Sequence, residues 1–126
     1  MLLNHDNVEV YAWCEPTDMR KGYEGLSALV RSELKMDEFG GALFLFVNRR
    51  RTHAKVLHFD GTGLCVLAKR LERGQFVALW NFAKFETIKL SKQELELFLQ
   101  GSHIVTRFRV APEPMTDKDL AVRTKR

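Results

Sequence analysis

The segment that most limits what this chain can fold into is residues 42–70, ALFLFVNRRRTHAKVLHFDGTGLCVLAKR. Its first part, Ala42 to Val47, is apolar at every position. A short apolar run without polar alternation predicts a strand covered on both faces. The runs HAKVLHF and LCVLAK then flank the turn DGTG, where Asp and Gly suit a positive φ. Together the three runs predict an antiparallel meander. If Asp60–Gly63 closes the second hairpin, opposed residue numbers sum to about 123, setting Phe59 against Leu64, Leu57 against Val66 and Ala54 against Lys69. If Arg49–Thr52 is the preceding loop, Asn48 faces His53.

This register gathers charge. Arg49, Arg50 and Arg51 fall in a tight loop at the end of the sheet where Lys69, Arg70 and Arg73 emerge, and Lys55 belongs to the same basic stretch. A one-residue slip would exchange faces and leave the cluster at that end.

Upstream, Val8, Val10, Ala12 and Cys14 alternate with Glu9, Tyr11 and Trp13, the period of a strand. Pro16 stops it, and Thr17 or Asp18 can cap a helix. Met19, Tyr23, Leu26, Val30 and Leu34, with Leu29 alongside, form a stripe that predicts a helix from Met19 to about Lys35. Gly22 and Gly25 each weaken that helix by about 1 kcal/mol relative to Ala, which suggests close approach to a sheet. Arg20 and Lys21 lie in or next to its first turn, where the helix dipole disfavours cations but free N–H groups suit an anion. The plainer reading pairs Arg20 with Glu24 and lets Asp18 offset the dipole.

In LSKQELELFLQG, Ser91 and Glu94 form a capping box, Leu90 and Leu95 a hydrophobic staple, and Gly101 a left-handed cap. The closing APEPMTDKDLAVRTKR is proline-broken, charged and poor in large apolar residues. It predicts a single domain over 1–101 and a mobile tail over 102–126. The fold class expected is α+β: a small, mainly antiparallel sheet with a helix packed on one face and a short C-terminal helix.

Charge and composition narrow the function. The net charge of +4 divides into −4 over residues 1–42, +6 over 43–85 and +2 over 86–126. A concentrated positive centre steers polyanions. Around the rim arginine outnumbers lysine five to one. Guanidinium groups fork onto phosphate oxygens, and neutralised phosphates release counterions. No base-reading motif is recognisable, so largely sequence-independent DNA binding is expected. The expected contacts are Arg49, Arg50, Arg51, Lys55, Lys69, Arg70 and Arg73, with Arg20 and Lys21.

Enzyme readings find little support. His53 and His58 are five apart, so in one strand they point to opposite faces and cannot share a metal. Asp60 reads as a turn residue, and Glu72 is hemmed by Arg70 and Arg73. No nucleophile motif or Gly-rich phosphate loop is present, so no catalytic residue, metal or cofactor is expected. No apolar run reaches the roughly 20 residues of a membrane span, and no secretory signal is evident at the start. Cys14 and Cys65 match no metal spacing and read as free buried thiols in a reducing, cytoplasmic setting.

The strings PTDMRKGYEGLSALV, LFLFVNRRRTHAKVLHFDGTGLCVLAKRLERGQF and IKLSKQELELFLQG resemble the accessory protein made by the second open reading frame of insertion sequences of family 66, the TnpB type of that family. The resemblance runs from about Val8 to Gly101. Its strings fall on Pro16–Lys21, Arg49–Arg51, Lys55, Asp60, Gly61 and Lys69–Gly74. It implies a role in bacterial transposition beside a separate transposase, which becomes an expected partner together with DNA. The chain is much too short for the RNA-guided nuclease that shares the type name. One departure is QFVALWNFAKFE, where family members tend to place Trp-Pro after Gly-x-Phe. The rival reading is an interaction module whose basic rim docks the transposase without touching DNA.

Overall fold

Leu43–Val47 (β2) has no polar side chain to turn towards water, and it sits at the centre of the sheet with all five residues buried. The computed structural model describes residues 7–101. Around β2 lie β1 (Val10–Trp13), β3 (His53–Phe59), β4 (Leu64–Arg70) and β5 (Thr87–Leu90), in the order β4-β3-β2-β1-β5. Two helices, α1 (Tyr23–Ser32) and α2 (Lys92–Leu99), and a short 3-10 turn (Leu79–Asn81) complete the described residues. The architecture is α+β.

The meander has the expected register. Phe59 pairs with Leu64, Leu57 with Val66, Ala54 with Lys69 and His53 with Arg70. One loop earlier, the Asn48 N–H donates to the His53 carbonyl at 3.1 Å. Gly61 supplies the positive φ, +105°, that the DGTG turn needs. Asp60 accepts from the N–H groups of Thr62 and Gly63 and from the Thr62 hydroxyl, and these bonds hold its carboxyl down at about 2.

Other pairings were not anticipated. β1 runs parallel to β2, Val10 beside Leu43, with α1 in the crossover between them. β5 joins the far side of β1 antiparallel, Trp13 opposite Thr87. One face of the sheet carries Val10, Ala12, Leu43, Leu45 and Val47 beneath Phe76, Leu79, Leu95, Phe98 and Leu99. The rings of Phe76 and Phe98 stack at 5.2 Å, joining the segment after β4 to α2. The opposite face carries Trp13, Phe44, Phe46 and Leu57 beneath Leu26, Val30 and Leu34 of α1 and its C-terminal extension.

The first helix is shorter than its apolar stripe implied. It starts at Tyr23 with Gly22 as N-cap and no side-chain cap. Asp18 instead accepts from the Arg20 N–H at 2.9 Å, closing a turn ahead of the helix, while the Thr17 N–H bonds the Val47 carbonyl at 2.8 Å. Met19 packs on the α1 face of the sheet from that turn. Beyond Ser32, Lys35 enters the left-handed region at φ +59° and ends the path. Neither glycine meets the sheet: a Cβ on Gly22 would touch nothing within 4 Å, whereas one on Gly25 would strike Lys21 Cβ at 2.9 Å. Gly25 makes room for the Lys21 stem.

The capping box of α2 is complete: Glu94 N–H donates to Ser91 Oγ at 3.0 Å and Ser91 N–H to Glu94 Oε1 at 2.8 Å. Leu90 and Leu95 lie in one buried cluster, and Gly101 takes the left-handed cap at φ +72°. The expected tail, 102–126, lies outside the described residues. No helix among the described residues is long and apolar enough to cross a membrane.

Candidate nucleic-acid interface

Sheet order decides which loops are neighbours. β1 and β2 end at the edge where β3 and β5 begin and where β4 ends. The segments 15–21, 48–52, 71–76 and 84–86 therefore share one rim, about four interstrand spacings or ~19 Å wide.

Asn48 builds the loop that carries the arginines. Its Oδ1 accepts from the N–H groups of Thr52 at 2.9 Å and His53 at 3.0 Å, and the Arg51 N–H closes on the Asn48 carbonyl at 3.0 Å. Arg51 sits in the left-handed region at φ +62°. Its guanidinium turns onto the next loop, donating to Gln75 Oε1 at 3.1 Å and to the Phe76 carbonyl at 3.4 Å. Backbone bonds reinforce this contact: Phe76 N–H to the Arg51 carbonyl at 2.7 Å and Leu71 N–H to the Thr52 carbonyl at 2.9 Å. Gln75 Nε2 adds a bond to the Arg50 carbonyl at 3.0 Å. Loop 48–52 and segment 71–76 are thus bonded neighbours, and β4, which ends in Lys69 and Arg70, runs into the second of them.

The nine basic residues singled out in the sequence have different surroundings. Arg49, Arg50, Lys69 and Arg73 are exposed. Among the described residues, no hydrogen bond or ion pair occupies their side chains. Arg70 is exposed but paired with Glu72 at 3.0 Å. Arg51 is half-buried and holds the two loops together. Lys55 points to the α1 face, where its Nζ donates to the Lys21 carbonyl at 2.9 Å. Arg20 forks onto Asp18, with Nη2 to Oδ2 at 2.7 Å, rather than reaching Glu24. That guanidinium holds the Asp18 carboxyl well below the usual carboxylate range. Lys21 lies across Gly25, just before α1.

Between the first two loops is an open cleft of about 400 Å³, lined by Pro16, Thr17, Asp18, Met19, Asn48, Arg49 and Arg50. Sequence reasoning missed it because it depends on the parallel β1–β2 pair, which brings the PTDM and NRR strings side by side. Among the described residues, no three His, Cys, Asp or Glu side chains gather to hold a metal ion. Both cysteines are free. Burial pushes the Cys14 thiol up to about 12. Cys65 was expected to be buried, but as a residue of edge strand β4 it is only half-buried, its thiol donating to Asp60 Oδ2 at 3.6 Å.

The family model described as IS66 Orf2 like protein matches residues 8–108. Two curated relatives come from Sinorhizobium fredii (strain NBRC 101917 / NGR234). The uncharacterized protein y4hO is 39% identical over 101 residues, covering 80% of this chain and 86% of its own length. The uncharacterized protein y4jC is 33% identical over 87 residues, covering 69% and 73%. No solved structure matches the chain. A match across the sheet, both helices and every loop of the basic rim places this chain in the IS66 Orf2-like family of insertion-sequence accessory proteins.

Proposed function

We propose that this accessory protein has no catalytic role of its own and binds DNA phosphates through Arg49, Arg50, Lys69 and Arg73. The observation that carries the proposal is the set of four exposed cations whose side chains engage no other described residue: Arg49 and Arg50 on one loop, Arg73 on the segment hydrogen-bonded to it, and Lys69 at the end of β4, which runs into that segment. A charge left without an internal partner is available to an external one. Arginine forks match phosphate oxygens, and counterion release supplies affinity without sequence readout. The family's place in transposition makes DNA and the transposase of the same element the natural partners.

Anisotropy titrations of a labelled duplex across a salt series test this. Contact with three to five phosphates predicts a slope of log affinity against log salt of about −3 to −4.5. R49A/R50A should flatten it by about 2 units. An unchanged slope in that variant would reject the site. Absence of binding by the wild-type chain to either duplex or single-stranded DNA would favour the rival reading, in which the rim docks an acidic surface of the transposase.

A further inference from the structure

We propose that the β5 end of the rim holds an unpaired base, so that the preferred ligand is single-stranded DNA, with Phe85 as the stacking residue. This inference rests on the phosphate-binding reading of the same rim. Phe85 is 76% exposed, the most exposed of the large hydrophobic side chains among the described residues. It is also held in the left-handed region at φ +57°, a conformation unfavourable for a residue with a Cβ. The fold fixes it there: Phe85 N–H donates to Glu15 Oε2 at 2.6 Å and the Glu86 carbonyl accepts from Cys14 N–H at 3.1 Å. An exposed ring in a strained, pinned backbone does nothing for the core.

Its position gives it a use. β5 is two strands from β2, so the ring's backbone lies about 10 Å across the rim from the arginine loop. A few nucleotides span that distance, passing over the cleft lined by Pro16–Met19. The charges around Phe85 differ from those around the arginines: Lys84 is outnumbered by Glu15 and Glu86. That end of the rim is a poor seat for a phosphate and a good one for a base. Every base has a π-face, so stacking needs no sequence preference. A paired base is already stacked on its neighbours and cannot occupy the ring.

The test uses the full chain and two fluorescein-labelled probes, a single-stranded oligonucleotide and its duplex. F85A should weaken single-strand binding on the order of ten- to a hundredfold, leave duplex binding within about twofold and leave the salt slope unchanged. F85W should restore single-strand affinity. F85G, free of the backbone strain, should melt at a higher temperature than the wild type and still bind single strand poorly, which separates the ring's role from folding. Equal single-strand affinity for wild type and F85A, with a slope still dependent on Arg49 and Arg50, would overturn the stacking site and leave the phosphate site standing. If neither probe binds the wild-type chain, both fall.

Discussion

Three consecutive arginines look equivalent in a sequence, and one asparagine makes them different. Asn48 folds the loop by accepting two N–H groups, which puts Arg51 at a positive φ with its guanidinium on Gln75 and Phe76. Arg49 and Arg50 stay exposed. N48A should therefore destabilise the fold by about 1–3 kcal/mol, because two backbone donors lose their acceptor. R51A should cost a comparable ~1–2 kcal/mol through its lost hydrogen bonds. R49A and R50A should each stay within about 0.5 kcal/mol. Urea denaturation midpoints check all four, and equal effects for the three arginines would contradict this division. The sequence showed that the cluster existed. It could not show which member was structural, because that depends on a contact 24 residues away along the chain.

At the scale of elements, what could be read in advance was what local chemistry decides. The meander register follows from turn position and alternation, and the α2 cap from Ser91 and Glu94. S91A should lower stability by about 1 kcal/mol, seen as a shift in the denaturation midpoint without a change in its slope. The start of α1 misled because Met19 has helical spacing but packs from a turn, and Asp18 caps that turn instead of the helix. β5 was overlooked for a related reason. It has four residues, only Ile88 and Leu90 are buried, and it runs directly into Ser91 with no loop to mark its end. Its partner β1 is over seventy residues away, as Trp13 opposite Thr87 illustrates. No local pattern announces such a pairing.

For the whole molecule, the two thiols report on two depths of the structure. Cys14 is fully buried under the face that α2 covers and its ionisation is pushed up to about 12, so at pH 8 it should resist alkylation until the protein unfolds. Cys65, half-buried on the edge strand, should react in the native state, slowed by partial desolvation and the Asp60 charge that raise its pKa. Mass spectrometry after timed labelling should find one adduct without denaturant and two with it. Rapid native labelling of Cys14 would mean that the α2 layer opens far more readily than its packing implies.

That same layer sets an order on synthesis. The cover over β1, β2 and β3 on one face comes from Phe76, Leu79, Leu95, Phe98 and Leu99, all encoded after the meander is complete. A nascent chain stalled before Gln75 would leave that apolar face of the sheet uncovered, with its arginine loop lacking the Gln75 and Phe76 partners that shape it. Frameshifts or early stops between the end of β4 and the end of α2 should thus yield an aggregating fragment rather than a weakened version of the protein.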